Sequence, residues 1–274
     1  MHRFAALYWF VSAAIAAPAI AADIANVQTH GEVPAGWVVG PAPATPDDVS
    51  CANGAQGWKV ERNGKDGFVI APDGRPPAAL SIALADGVMW ATNRGEFGGK
   101  VEWQAANADQ RDLITAANPV AFMTLQDTVF FAEGLSHGPY FPTEPDKNEA
   151  NKRIVKMVRS DGRWKVDATM PLAMVPRVVQ QSGEHALILA NRGVIAANLR
   201  SMEASQLHRN DDWKLLYPNS IVDTGGGNYL VGLRSAVVKL TRNGTQLDEQ
   251  WWRPAACARM ERASISGCTC LPPL

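Results

Sequence analysis

The chain has 274 residues, 46% of them hydrophobic and 19% charged, which is the composition of a globular protein with enough apolar material for a core. Lysine and arginine total 26 against 27 aspartate and glutamate residues, so the formal net charge is −1. A nucleic-acid-binding surface normally shows as a basic excess, so we expect no nucleic-acid partner. The 23 glycines and 18 prolines are spread along the chain, which indicates frequent turns and favours an all-β fold.

The N-terminal segment, residues 1–21, has the pattern of a secretory signal peptide. His2 and Arg3 give a basic start, residues 4–20 are apolar or small, and residues 19–21 form an A-x-A cleavage site. A retained membrane anchor is the alternative, but the apolar stretch is short and no basic flank follows it. We therefore expect residues 22–274 to form one mature domain, periplasmic or secreted, with no membrane contact after cleavage.

The mature chain begins with a proline- and alanine-rich lead-in up to about residue 46, in which residues 37–39 could add an outer strand. Residues 47–75 then hold two strand candidates around the turn signal at residues 63–67. We predict a degenerate first repeat unit here, or the unit that closes a ring.

A repeat follows, and four prolines mark it. Pro77 and Pro119 are separated by the same interval in the sequence as Pro176 and Pro218. Each proline opens an apolar strand, which is followed by a turn and a second apolar strand. The interval from Pro119 to Pro176 is longer, because residues 136–151 form an insertion of loop-like composition.

A Trp-Lys-aliphatic pattern recurs at residues 58–60, 164–166 and 213–215 and predicts a fourth strand for each unit. Four strands in roughly 40 to 45 residues is the size of a β-propeller blade. We therefore predict an all-β propeller of about five to six four-stranded blades, with clear blades starting near residues 77, 119, 176 and 218. A β-sandwich is the alternative, since it also has many short strands. The recurrence of the repeat at a constant spacing favours the propeller.

The blade that starts near Pro77 contains the segment Asp-Gly-Val-Met-Trp-Ala-Thr-Asn-Arg-Gly at residues 86–95. This segment resembles the blade repeat of periplasmic sensor propellers in hybrid two-component regulators, with Ala91 in place of a preferred glycine and Glu96 in place of a preferred leucine. The resemblance covers about four blades and implies a propeller. Those sensors are much longer and carry a membrane span and a kinase, so the resemblance does not imply signalling.

Three arginines, Arg94, Arg192 and Arg234, fall in the turn between the second and third strands of three blades, and Glu133 lies near that place in a fourth. Equivalent loops of a propeller lie on one face, so these side chains would converge at one mouth of the central channel. Guanidinium groups there would form a site for a carboxylate, sulfate or phosphate. The alternative is that the arginine belongs to the blade consensus and pairs with an aspartate or a tryptophan of a neighbouring blade.

The insertion at residues 136–151 belongs to the corresponding turn of its own blade and would overhang the same face. Its His137 and Tyr140 are residue types that binding loops use, so we expect them at the ligand site, although the insertion could be only a spacer. A faint likeness to a calcium loop at residues 146–149 lacks the turn glycine and the terminal glutamate. We expect no metal and no cofactor.

No motif of a zinc hydrolase or of a nucleophile elbow is present. We therefore expect a binding or scaffold module that recognises a small anionic ligand or a protein partner. The alternative is a propeller-type lyase or hydrolase that uses His137 and Glu133 at the same face, because enzymes with this fold place histidines or acidic residues there.

The four cysteines are Cys51, Cys257, Cys268 and Cys270. An oxidising compartment favours disulfides, and a C-x-C pair without a neighbouring histidine is a poor match to zinc spacing. Three connectivities are possible. We expect a Cys51–Cys257 bridge that joins the first and last blades, with Cys268 and Cys270 bridging each other or remaining thiols.

Overall fold

The computed structural model describes residues 25–27, 32–64, 67–74, 79–136, 149–264 and 267–271. Most of them lie in β-strands that pair antiparallel with their neighbours in the chain. The predicted signal peptide and residues 137–148 of the predicted insertion lie outside the described residues.

The strands follow one another in chain order with two short helices between them. The N-terminal part contains β1 (Ala25–Val27), β2 (Trp37–Gly40), α1 (Pro46–Gly54), β3 (Trp58–Asn63) and β4 (Gly67–Pro72). The central part contains β5 (Ala79–Leu84), β6 (Gly87–Asn93), β7 (Gly99–Ala105), β8 (Asp112–Ala116), β9 (Pro119–Leu125), β10 (Thr128–Ser136), β11 (Glu149–Ser160) and β12 (Arg163–Pro171). The C-terminal part contains β13 (Pro176–Ser182), β14 (His185–Ala190), β15 (Gly193–Asn198), β16 (Glu203–Arg209), α2 (Trp213–Leu216), β17 (Ser220–Gly225), β18 (Asn228–Gly232), β19 (Val237–Asn243), β20 (Gln246–Pro254), β21 (Arg259–Ser264) and β22 (Gly267–Leu271).

These strands form an all-β propeller, as the repeat predicted. Within the described residues there are five blade-like sheets. Blade 1 has the order β1-β4-β3, blade 2 is β5-β6-β7-β8, blade 3 is β9-β10-β11-β12 and blade 4 is β13-β14-β15-β16. Blade 5 is β17-β18-β19-β20 and gains β2 as an outer fifth strand, in agreement with the strand proposed for residues 37–39.

Local sequence explains the hairpins inside each blade. Asp161 and Gly162 join β11 to β12 with φ values of 55° and 76°, the left-handed conformation that a two-residue hairpin turn requires. In β14 the residues His185 to Ala190 are almost continuously apolar, because both faces of blade 4 are covered by neighbouring blades.

Four hydrophobic clusters hold neighbouring blades together. They lie between blades 2 and 3, between blades 3 and 4, between blades 4 and 5, and between blades 5 and 1. The last of these contains Val60, Phe68, Ile70, Val222, Leu230, Val237 and Trp252. The first and last blades of the chain are therefore neighbours, although residues 25–72 and 220–254 are far apart in sequence.

The faces of blades 1 and 2 that point away from these clusters carry charges. Lys59 pairs with Glu61 on blade 1, and Lys100 pairs with Glu102 at 2.7 Å on blade 2. Both pairs alternate along their strands with buried valines, so they lie on the opposite face from the core. None of the four clusters of the described residues joins blade 1 to blade 2.

The two helices differ from the sequence prediction. Thr45 accepts a hydrogen bond from the N–H of Asp48, and the Asp48 carboxylate accepts one from the N–H of Thr45, a capping box that starts α1 where we predicted no helix. Trp213 was predicted to begin a fourth strand but lies in α2, and β16 is the fourth strand of blade 4. The Trp213 side chain is fully buried in the cluster between blades 4 and 5, so packing decided its conformation.

All four cysteines form disulfides, but the expected Cys51–Cys257 bridge is wrong. Cys51 bonds to Cys268 and Cys257 bonds to Cys270, with Cα–Cα distances of 5.5 and 4.5 Å. The reason is the hairpin of β21 and β22, which packs against α1 with both strands and so brings Cys268 of β22 to Cys51.

Candidate ligand-binding site

The turn between the second and third strands of a blade lies at the same end as the connection to the next blade, because an antiparallel chain reverses at alternate ends. Hydrogen bonds join these turns to the connections between blades. The N–H of Asn191 donates to the carbonyl of Val175 at 2.8 Å, and the N–H of Val175 donates to the side-chain oxygen of Asn191 at 3.0 Å. The N–H of Arg234 donates to the carbonyl of Leu216 at 2.7 Å. We call this end of the blades the turn face.

A tyrosine ring with two guanidinium groups lies on the turn face between blades 4 and 5. The guanidinium carbon of Arg234 is 4.0 Å from the centre of the Tyr217 ring, and that of Arg177 is 5.9 Å from the same centre. Arg177 is near the start of β13, and Tyr217 shortly precedes β17. These are the first strands of their blades, so the group lies on the inner side of the propeller. We call Arg177, Tyr217 and Arg234 the Tyr217 site.

The Tyr217 site is open to solvent. Tyr217 is 43% exposed, whereas Arg177 and Arg234 are half-buried. A half-buried guanidinium interacts more strongly with an anion than a fully solvated one, because the local dielectric is lower. Arginine also binds carboxylate and phosphate through two parallel hydrogen bonds and stacks on aromatic rings. The arrangement can therefore hold an oxyanion beside a flat apolar surface.

The backbone at this site is strained. Tyr217 has φ of 50° and ψ of 67°, in the left-handed region that bulky residues rarely adopt. Ser235, next to Arg234, has φ of 66°. Such conformations cost about 1–3 kcal/mol each and cluster at functional sites.

Helix α1 fixes the position of Arg234. Nη1 of Arg234 donates to the carbonyl oxygen of Asn53 at 2.8 Å and also to the Asn53 side-chain oxygen. Both contacts use one nitrogen of a group that has five N–H donors. Asn53 thus sets the direction of the guanidinium while the rest of the group faces the Tyr217 ring.

Arg192 lies in the turn between β14 and β15 and contacts the first residues of the connection between blades 4 and 5. Its carbonyl accepts from the N–H of Asn210 at 2.8 Å, and its Nη1 is 3.7 Å from a carboxylate oxygen of Asp211. Arg192 is only 3% exposed, while the Asp211 side chain is 65% exposed. Arg192 and Arg234 therefore contact the two ends of one connection, and Arg192 is buried beside an acidic partner.

The other predicted residues do not join the Tyr217 site. Arg94 is exposed on the turn face of blade 2. Glu133 is fully buried, where its carboxylate accepts from the N–H of Asn118 at 3.1 Å and from Nε of Arg153. It therefore links two segments of the turn face instead of facing solvent. His137 and Tyr140 lie outside the described residues.

Sequence reasoning missed Tyr217, Arg177 and Asn53. A signal for two of them was available, because Tyr217 directly precedes Pro218 and Arg177 directly follows Pro176, the prolines that mark the repeat. Asn53 gave no such signal, since it lies in a helix outside the repeat.

A second polar network lies between the outer strands of blades 4 and 5. Nε2 of His208 is 2.6 Å from Oε1 of Glu249, and the Asn210 side chain and Nε1 of Trp251 also donate to this carboxylate, at 2.9 to 3.1 Å. Burial alone would raise the pKa of Glu249, but the hydrogen bonds from His208 and Asn210 outweigh it and hold the pKa below the ordinary value. This network connects the two blades that frame the Tyr217 site.

The described part of the chain contains no group of three or more histidine, cysteine, aspartate or glutamate side chains placed to hold a metal ion. No helix in the same residues is both long and apolar enough to cross a membrane.

Comparison with known proteins finds distant likenesses only. No family model matches the sequence, and no curated protein matches it. Among solved structures, the chain is similar to HIRA(644-1017), with 9% identity, a TM-score of 0.34, and coverage of 64% of this chain and 54% of that one. It is also similar to the Neurospora crassa Pan2 WD40 domain, with 10% identity, a TM-score of 0.34, and coverage of 78% of this chain and 54% of that one. The chain thus spans about half the length of both structures.

Proposed function

We propose that the protein is a binding module that holds an oxyanion-bearing ligand, a carboxylate or a phosphate, at the Tyr217 site. The observation that carries this proposal is the pair of guanidinium groups, from Arg177 and Arg234, at one solvent-exposed tyrosine ring. Arginine and tyrosine are also the residue types that contribute most to affinity at binding surfaces. The anion can belong to a small molecule or to an acidic segment of a protein partner.

A larger ligand would extend over the turn face. Arg94 belongs to the equivalent turn of blade 2, and the insertion that contains His137 and Tyr140 belongs to the corresponding turn of blade 3. The participation of Arg94, His137 and Tyr140 stays a prediction from the repeat. Arg192, in the equivalent turn of blade 4, is only 3% exposed beside Asp211, so we leave it out of the proposed site. We leave Glu133 out of the proposed site, because burial and its two partners occupy its carboxylate.

The enzyme alternative has no support among the described residues. It relied on Glu133 as an acidic group at the turn face, and that side chain is fully buried. It also relied on His137, which lies outside the described residues. We therefore propose binding without turnover.

We further propose that the protein is exported from the cytoplasm. The signal-peptide pattern of residues 1–21 motivates this proposal, and two disulfides fit an oxidising compartment. The periplasm and the extracellular space agree equally well with both observations.

Calorimetric titration with citrate, inorganic phosphate and a hexaglutamate peptide tests the binding proposal. The protein is compared with Arg177→Gln, Arg234→Gln and Tyr217→Asn, the last because asparagine tolerates the left-handed backbone of this position. Loss of a charge-assisted hydrogen bond costs about 1.5–3 kcal/mol, so we expect each arginine variant to bind the preferred probe at least about tenfold more weakly.

Arg94→Gln is the matched control, since it removes an exposed guanidinium from the equivalent turn of blade 2. It should bind a small probe as the unmodified protein does. Absence of binding by every probe, or an equal loss in Arg94→Gln and Arg234→Gln, would show that the Tyr217 site is not an anion site.

A further inference from the structure

Helix α1 is a short element that belongs to no sheet. It buries Val49 and Ala52 against Trp213 and Leu216 of the connection between blades 4 and 5. A helix this short is not stable alone in water and depends on such tertiary contacts. Its position therefore follows from the few attachments that it makes.

One of these attachments is covalent. Cys51 of α1 is 4% exposed and bonds to Cys268 of β22, which is exposed to solvent. The other cysteine of β22, Cys270, bonds to Cys257 and makes no link to α1. The chain thus contains two disulfides on one strand, of which one holds the helix and the other does not.

The end of α1 is in contact with the turn that carries Arg234. Asn53, which closely follows Cys51, accepts two hydrogen bonds from the Arg234 side chain. Just beyond the helix, the carbonyl of Gln56 accepts from the N–H of Ser235 at 2.8 Å. The helix end therefore holds both the side chain and the backbone of this turn.

We propose that the Cys51–Cys268 disulfide is a redox control on the Tyr217 site. A dithiol reductant that reaches Cys268 supplies two electrons and two protons, the S–S bond breaks, Cys51 and Cys268 become thiols, and the reductant becomes a disulfide. Helix α1 then keeps only its non-covalent contacts and is held less firmly, so the hydrogen bonds from Arg234 to the Asn53 oxygens break more often. The proposal rests on the proposed function, because it concerns the affinity of the same site.

The consequence for binding is a loss of preorganisation. A guanidinium held in its binding orientation loses little rotamer entropy when a ligand arrives, whereas a released one must be ordered at that moment. Reduction should therefore weaken anion binding without removing any residue that contacts the anion. Asn53 acts here as a positioning residue.

The experiment uses the chain without the proposed signal peptide, residues 22–274, with citrate as the probe. Affinity is measured for the oxidised protein, for the protein treated with dithiothreitol, and for the double variants Cys51→Ser with Cys268→Ser and Cys257→Ser with Cys270→Ser. A fourth sample, Asn53→Ala, keeps both disulfides. We expect the reduced, Cys51/Cys268 and Asn53 samples to bind citrate at least about fivefold more weakly than the oxidised protein. The Cys257/Cys270 control should bind citrate with unchanged affinity.

Amide hydrogen exchange of Ser235 gives a second readout that needs no ligand. The amide of Ser235, which donates to the carbonyl of Gln56, should exchange faster when α1 is held less firmly. We expect this change only in the reduced and Cys51/Cys268 samples. If the oxidised protein binds citrate through Arg234 but reduction changes neither affinity nor Ser235 exchange, the redox proposal is overturned while the binding proposal stands. Failure of citrate binding in the oxidised protein overturns the proposed function instead. Asn53→Ala keeps the backbone carbonyl that accepts from Arg234, so unchanged affinity in this variant overturns the positioning role of the Asn53 side chain.

Discussion

Individual polar side chains connect the blades at positions where apolar packing alone would not fix the geometry. Glu249 of β20 receives hydrogen bonds from His208 and Asn210 of the preceding blade and its connection. Its side chain is 16% exposed, so the interaction is poorly screened by solvent. Because these contacts stabilise the ionised form, the pKa of Glu249 in the folded protein lies below its ordinary value of 4.5, although burial opposes this.

We expect this carboxylate to contribute to acid sensitivity. A group with a lowered pKa in the folded state stabilises the fold above its unfolded pKa, and this contribution is lost as the pH falls through the folded pKa. Glu249→Gln should therefore be less stable by about 1–3 kcal/mol at pH 7 and should lose less further stability between pH 5 and pH 3. Denaturant unfolding at several pH values measures both effects.

Glu61→Gln is the control for this measurement, because the Glu61 side chain is 51% exposed in its pair with Lys59. An exposed ion pair contributes little, so this variant should follow the unmodified protein at every pH. Parallel loss of stability on acidification in Glu249→Gln and the unmodified protein would contradict the role of Glu249.

At the scale of elements, the interface between blades 1 and 5 depends on a close approach of the β3 backbone to the end of β18. The N–H of Trp58 donates to the carbonyl of Leu233 at 2.9 Å, and the N–H of Val60 donates to the buried hydroxyl of Ser220 at 2.8 Å. A Cβ atom on Gly232 would meet the carbonyl oxygen of Trp58 and the same Ser220 hydroxyl at less than contact distance. Glycine is therefore required where these two blades meet.

We expect Gly232→Ala to destabilise the protein by about 1–3 kcal/mol, because an extra methyl in a closely packed site forces backbone shifts. Thermal and denaturant unfolding measure the change. Gly74→Ala is the matched control, since no atom of the described residues lies near the added methyl there, and it should leave stability nearly unchanged. Equal stability of the two variants would mean that the interface between blades 1 and 5 can widen without a loss in the free energy of unfolding.

At the scale of the whole molecule, the blades differ in how many neighbours support them. Blade 4 takes part in two hydrophobic clusters, with blade 3 and with blade 5. In the part of the chain that the structure describes, blade 1 has three strands and takes part in one cluster, with blade 5. Local stability follows the amount of buried contact, so the blades should open with different free energies.

Native-state hydrogen exchange should show this order. We expect the amides of β14 and β15 to be among the slowest to exchange, and those of β3 and β4 to exchange faster, because opening blade 1 disrupts a single inter-blade cluster. Equal protection of blades 1 and 4 would show that blade 1 has a second supporting interface.

The sequence determined the repeated architecture. The regular step of the repeat, the prolines that mark it and turn residues such as Asp161-Gly162 are local signals, so they predicted the meander strands and the propeller without knowledge of distant contacts. The repeat also led to Arg234, one of the three residues of the Tyr217 site. The resemblance to sensor propellers stays a prediction beyond the shared fold.

Only the tertiary structure decided the partners of these residues. Tyr217 and Asn53 reach Arg234 from a connection and from a helix outside the repeat, and Arg177 reaches the Tyr217 ring from another blade. The cysteines pair across a sequence separation of 217 in one disulfide and 13 in the other. A periodic pattern gives the strands of each blade, because those contacts are local. It does not give side-chain contacts between blades, because these depend on how all of the blades and the non-repeating segments pack together.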